Sequence, residues 1–173
     1  KETTANTFVW DSIYYLFKYE QHFSDLNFEN IYWMMTAVEV YNWHPLTWFS
    51  WAIDYQIYGG LDSWGYHFSN NILHPINSVL VFLLTLVVFG LNTPESNYYP
   101  FRKDNQAFIA AFLAASLFAV HPQHVESVAW VAERKDLLCQ LFMLLSLLTY
   151  VKYVTCQENV KTWWFLITLG LFS

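Results

Sequence analysis

Four stretches of the chain are apolar all round rather than on one face: Ile72–Leu91, Ala107–Val120, Leu137–Val154 and the run opened by Trp163. A helix crossing a bilayer needs about 20 such residues. The pattern therefore predicts spans near 72–91, 105–121, 137–154 and from 163 onward. Ala107–Val120 has 14 residues, so on its own it also suits a buried or re-entrant helix. Residues 1–70 contain no run of this kind. Within them, Ile31, Met34, Met35 and Val38 recur at helical spacing over Asn30–Asn42, with Asn27 or Asn30 as cap. A second helix is predicted over Pro45–Tyr58, since Pro suits a first turn and Gly59-Gly60 a stop. Trp48, Phe49, Trp51 and Tyr55 give that helix more apolar girth than one face requires. Trp and Tyr concentrate at membrane–water interfaces, so these helices are expected to lie along a bilayer surface. The chain thus divides into an external loop with interfacial helices, 1–70, and a bundle of transmembrane helices, 71–173.

Composition supports a membrane class. The chain is 55% hydrophobic, 21% aromatic and only 13% charged, with a mean hydropathy of +0.23. That is too little charge for an ordinary soluble surface. The formal charge of −6 resides wholly in residues 1–70, where Glu2, Asp11, Glu20, Asp25, Glu29, Glu39, Asp54 and Asp62 face only Lys1 and Lys18. No basic patch suggests nucleic acid. Arg102, Lys103, Lys152 and Lys161 balance Lys1, Lys18, Arg134 and Lys135 across the expected spans, so the positive-inside rule does not orient them. Cys139 and Cys156 lack metal-type spacing, and Cys139 is expected to be a buried free thiol. The polar start Lys1–Thr7 carries no cleavable-signal pattern, and the short final apolar run suggests a piece of a longer protein.

The candidate chemistry lies in the polar cluster between the second and third runs. His121, His124 and Glu126 are followed closely by Arg134 and Lys135. Ionisable groups near a membrane are costly and mark functional sites. Arg offers a planar fork to phosphate and Lys a point charge, so phosphate binding or proton transfer is favoured over a polar helix cap. Metal ligation by the histidines is a further alternative. His67, Asn70 and His74 stand at i, i+3 and i+7, one polar stripe that either bonds neighbouring helices or contacts substrate, and Pro75 should kink or reset the helix there. Asp11, inside Phe8-Val9-Trp10-Asp11-Ser12, is an acid whose desolvation could make it a general base; an exposed acid is the alternative.

Read together, several segments resemble a known family. Asn42-Trp43-His44-Pro45-Leu46-Thr47-Trp48 is followed by Asp54-Tyr55-Gln56, Gly59, His67-Phe68-Ser69-Asn70 and His74. The run from His121-Pro122-Gln123-His124-Val125-Glu126-Ser127 to Glu133-Arg134-Lys135-Asp136 completes the pattern. Their order resembles the membrane part of the transmembrane and tetratricopeptide-repeat protein family and its bacterial relatives, members of the GT-C glycosyltransferase superfamily.

The resemblance implies an all-α polytopic membrane enzyme with a GT-C-like helix bundle. Such an enzyme moves a sugar from a polyprenyl-phosphate donor to a protein hydroxyl or other acceptor at the periplasmic or lumenal face. It implies a catalytic acid at Asp11, with Ser12 standing where a second acid is common. His67, Asn70, His74, His121, His124, Glu126, Arg134 and Lys135 are then expected to hold donor phosphate or substrate, converging with Asp11 on one external cleft. The implied partners are the lipid bilayer, the lipid-linked donor, a protein acceptor and other subunits of a membrane complex. No cofactor is called for, with a divalent metal left open. Two other classes compete: a non-catalytic or degenerate membrane subunit, and a haem- or metal-binding subunit using paired histidines.

Overall fold

The computed structural model describes residues 10–39, 41–91, 105–155 and 158–172, with side chains at 14–39, 41–89, 105–155 and 161–172. The chain is all-α. Helices α1 (Trp10–Lys18), α2 (Glu20–Ser24), α3 (Phe28–Thr36) and α4 (Pro45–Tyr58) precede the long α5 (Ser63–Leu91). Then follow α6 (Asn105–Val120), α7 (His124–Ala129), a 3₁₀ turn (Val131–Glu133), α8 (Arg134–Thr155) and α9 (Glu158–Phe172). Among the described residues the one β pairing is an isolated bridge between Glu39 and Asn42.

Local chemistry explains most boundaries. Asn27 caps α3 by accepting from the Asn30 N–H at 2.8 Å. The helix stops at Thr36 rather than running to Asn42, because the chain turns back through the Glu39–Asn42 bridge with Tyr41 at φ 62°. Helix α4 has Pro45 in its first turn and ends at Gly59 in the left-handed region, φ 72°. Asp62 accepts from the Gly65 N–H at 3.1 Å at the start of α5. That helix continues through Pro75 without a break; it is not reset there.

Among the described residues two helices are long and apolar enough to cross a bilayer, Ser63–Phe89 and Val131–Thr155. Of their most apolar stretches only 6% and 17% of the residues are buried within the protein. Helices α6 and α9 are shorter, at 16 and 15 residues. Between the first two expected spans, residues 92–104 lie outside the described set. Helix α9 begins at Glu158, five residues before Trp163. Cys139 is a free thiol, but it is exposed on α8 rather than buried.

The chain forms two compact units, one of residues 1–73 and 125–138, the other of 74–124 and 139–173. The first has an aromatic core of Leu16, Tyr19, Phe23, Met34, Trp48, Trp51, Tyr66 and Val131. Trp48 lies edge-on to Trp51 at 5.3 Å between centroids and stacks on Phe23 at 6.0 Å. Helix α4 packs on α2 and α3, while α1 packs on the 3₁₀ turn. In the second unit Phe82 meets Phe108 edge-on at 5.5 Å. There, α8 joins α9 through Thr168 Oγ1 donating to Thr149 Oγ1 at 3.0 Å.

Candidate functional site

Arg134 opens α8, yet its side chain is buried inside the first unit. Its Nε donates to Asn70 Oδ1 at 2.6 Å, and Nη1 donates to Asp54 Oδ2 at 2.6 Å and to Ser50 Oγ at 3.4 Å. Nη2 donates to the Tyr66 carbonyl at 2.7 Å. Ser50 and Asp54 stand one turn apart on α4, and Tyr66 and Asn70 one turn apart on α5, so two helical stripes converge on one guanidinium. A buried charge survives only when paired and hydrogen-bonded, and here both conditions are met. Asn70 is equally committed, since its Nδ2 donates to the Val128 and Trp130 carbonyls at 3.3 and 3.4 Å. The expected phosphate fork is thus occupied by protein acceptors.

Lys135, the next residue, differs. Its Nζ lies 3.2 Å from Glu133 Oε1, and 39% of its side chain remains exposed. An exposed pair of this kind is weak and exchangeable, so Lys135 is the cation of this segment that an anion can reach. The neighbouring 3₁₀ turn packs on α1. Helix α1 carries Asp11 one turn before Tyr15; the Asp11 side chain lies outside the described set. Tyr15 in turn meets His44 edge-on at 6.1 Å. His67 is half-buried and Glu126 exposed, and both belong to this unit.

His74, His121 and His124 belong to the second unit. Their rings form a chain, with His74 to His124 at 5.4 Å and His121 to His124 at 5.9 Å. Phe118 packs on His124 at 4.3 Å. His74 Nε2 donates to the Ala119 carbonyl at 3.0 Å, which fixes its tautomer and leaves Nδ1 buried without a hydrogen-bond partner. His121 Nδ1 accepts from the Gln123 N–H at 3.3 Å. Burial, then the neighbouring His74 and His121, holds the His124 pKa below the usual imidazole value. Among the described residues no group of three or more His, Cys, Asp and Glu is arranged to hold a metal ion, so the described donors do not fit a metal centre.

The sequence reading missed Asp54, Ser50 and Tyr66 as partners of Arg134. The available signal was a lone acid in the aromatic helix 45–58, a charge that burial obliges to find a cation. It also passed over His44, which is half-buried on Trp48.

No family profile and no solved structure matches the chain. It is 40% identical over 136 residues to human protein O-mannosyl-transferase TMTC4, covering 75% of this chain and 18% of that protein. Human TMTC2, which carries the same enzyme name, is 33% identical over 127 residues, with 72% and 13% covered. Drosophila melanogaster protein O-mannosyl-transferase Tmtc2 is 31% identical over 118 residues, with 68% and 11% covered. The chain therefore spans less than a fifth of the length of these curated relatives. Matching them over most of its own residues, it belongs to the transmembrane and tetratricopeptide-repeat protein family.

Proposed function

We propose that this chain is part of the membrane domain of a GT-C-type glycosyltransferase that moves a sugar from a polyprenyl-phosphate donor to a protein hydroxyl. In this reading α5, α6, α8 and α9 are spans of a multi-pass bundle, and residues 1–70 lie at the external face. The names of its relatives suggest mannose and a protein acceptor. The observation that carries the reading is the packing of α1 on the 3₁₀ turn before Lys135, which joins the helix of Asp11 to the segment of the accessible cation.

Asp11 takes the proton from the acceptor hydroxyl as its oxygen bonds to the anomeric carbon. The bond from that carbon to the phosphate oxygen breaks, and polyprenyl phosphate leaves with the electron pair. Lys135 neutralises the departing phosphate, with His67 and Glu126 of the same unit as further substrate contacts. Arg134 and Asn70 serve this site from inside, holding α4, α5 and the Val128–Trp130 segment together so that Lys135 is fixed in place. The test is transfer of mannose from a polyprenyl-phosphate donor to a protein acceptor by the full-length protein in lipid. Transfer supports the reading, and its absence with every donor tried favours a non-catalytic relative, the role to which Ser12 beside Asp11 also points.

A further inference from the structure

The opening turns of α5 reverse the polarity of a water-facing helix, which is polar outside and apolar inside. Here Ser63, Tyr66 and Asn70 are the buried side chains. The Tyr66 hydroxyl donates to the Trp51 carbonyl at 3.2 Å, and Ser69 Oγ donates to Asp54 Oδ1 at 2.8 Å. Asn70 Oδ1 accepts from Arg134 Nε at 2.6 Å. Outward, Trp64, Phe68 and Ile72 stand one turn apart in a single stripe, 65%, 42% and 45% exposed. The Trp64 and Phe68 rings stack at 4.9 Å with 11° between their planes, and Tyr58 meets Trp64 edge-on at 6.2 Å. No Asp, Glu, Lys or Arg occurs from Ser63 to Leu91, so α5 gives the stripe no charge of its own. The stripe also lies on a helix long and apolar enough to cross a bilayer.

We infer that the stripe of Trp64, Phe68 and Ile72 is a lipid-contact surface, by which the first unit is set into the headgroup layer instead of riding above it. Lipid requires polar groups to be satisfied inside the protein and apolar groups to face out. Trp gathers at the boundary between headgroups and hydrocarbon. The dimensions agree. Val79, 56% exposed, stands near the middle of α5 and eleven positions after Phe68. At 1.5 Å of rise per residue that separation is about 16 Å, close to half of the ~30 Å hydrocarbon thickness. With Val79 near the bilayer centre, Phe68 therefore reaches the boundary. Tyr66 and Asn70, which bond Arg134, fall on the same turns as Trp64 and Phe68. The buried Arg134–Asp54 pair then lies at headgroup depth. The inference rests on the reading of α5 as a span, and goes beyond it in naming the surface of the external unit that meets lipid.

The experiment reads depth from a fluorophore on a single cysteine of the full-length protein in phosphatidylcholine vesicles, its native cysteines replaced by serine. Phe68→Cys carries the label in one variant and Val79→Cys in another, with Trp64→Cys as a second probe of the stripe. The quenchers are iodide in the water and nitroxide lipids labelled either near the headgroup or deep in the acyl chain. The labels at 68 and 64 are expected to lose most fluorescence to the shallow nitroxide, less to the deep one and little to iodide. The label at 79 should lose most to the deep nitroxide. Quenching at 68 and 64 by iodide and not by lipid, with 79 still quenched by lipid, would overturn the contact surface and leave α5 a span. Labels at 68 and 64 shielded from every quencher would mean that protein covers the stripe, which also overturns the inference. Stronger quenching there by the deep nitroxide would overturn the assigned depth. No lipid quenching at 68, 64 or 79 would overturn the reading of α5 as a span and the inference with it. Sugar transfer is read separately, and its absence beside the expected quenching would remove the enzyme reading while the lipid contact stands.

Discussion

Arg134 Nη1 lies 2.6 Å from Asp54 Oδ2, with the two side chains only 1% and 7% exposed. Eighty positions apart in sequence, they meet where α8 begins against α4. Removing one partner strands a buried charge, which costs about 3–5 kcal/mol. Arg134→Gln and Asp54→Asn are each expected to lower the unfolding temperature of the purified protein by the equivalent of such a loss. Combining Asp54→Asn with Arg134→Gln leaves no charge, so its loss should fall well below the sum of the two single losses. Simple additivity in thermal unfolding would show that the pair is not coupled.

Gly65 lies against the face of Tyr58, and a Cβ at this position would run into the ring. Gly65→Ala is expected to destabilise the first unit by about 1–3 kcal/mol, the usual cost of overpacking. Shortening the obstacle with Tyr58→Ala in the Gly65→Ala background should recover part of that loss. Thermal unfolding of the two variants checks both parts, and a neutral Gly65→Ala would mean that the approach of α5 to Tyr58 is loose.

The two histidines with shifted titration give stability a pH dependence. Burial and then Lys135 lower the pKa of His44, while burial and then His74 and His121 lower that of His124. In the unfolded chain an imidazole titrates near 6.5, so folding favours the neutral rings. That stabilisation is fully present above about 6.5 and is lost as pH falls through the lower folded values, where the unfolded chain binds more protons. Unfolding temperature should therefore drop on acidification from about 7.5 to 5. The variant carrying His44→Gln and His124→Gln should show a shallower drop, and an identical slope would contradict the assignment.

Much of the fold was readable because its signals are local. The Pro45 start, the Gly59 stop and the Asn27 cap are each decided within a few residues, and all occur in the structure. The apolar span was read from Ile72, whereas α5 starts at Ser63; its polar stretch Ser63–Asn70 includes the His67 and Asn70 stripe that the spacing places on a helix. That stretch is helical because distant groups satisfy it: Asn70 bonds to Arg134 and to carbonyls at 128 and 130, more than 55 residues away. Helix α3 was read too long, since the reversal at Tyr41 uses a positive φ at a residue type that seldom adopts one. The polar cluster from His121 to Lys135 was visible as chemistry out of place between apolar runs. The burial of Arg134 was not visible, because its partners Asp54, Asn70 and Tyr66 come from helices that only tertiary structure brings together.

The most direct test of the account is the rate of sugar transfer from a polyprenyl-phosphate donor to a protein acceptor. It compares full-length wild type in lipid with the Asp11→Asn variant. The substitution keeps size and polarity but removes the base, and general-base catalysis contributes roughly 10²–10⁴-fold. The account predicts transfer by the wild type, a fall of that order in kcat, and donor binding left nearly intact. Wild-type transfer that persists unchanged in Asp11→Asn would contradict the central claim that α1 carries the base of the reaction.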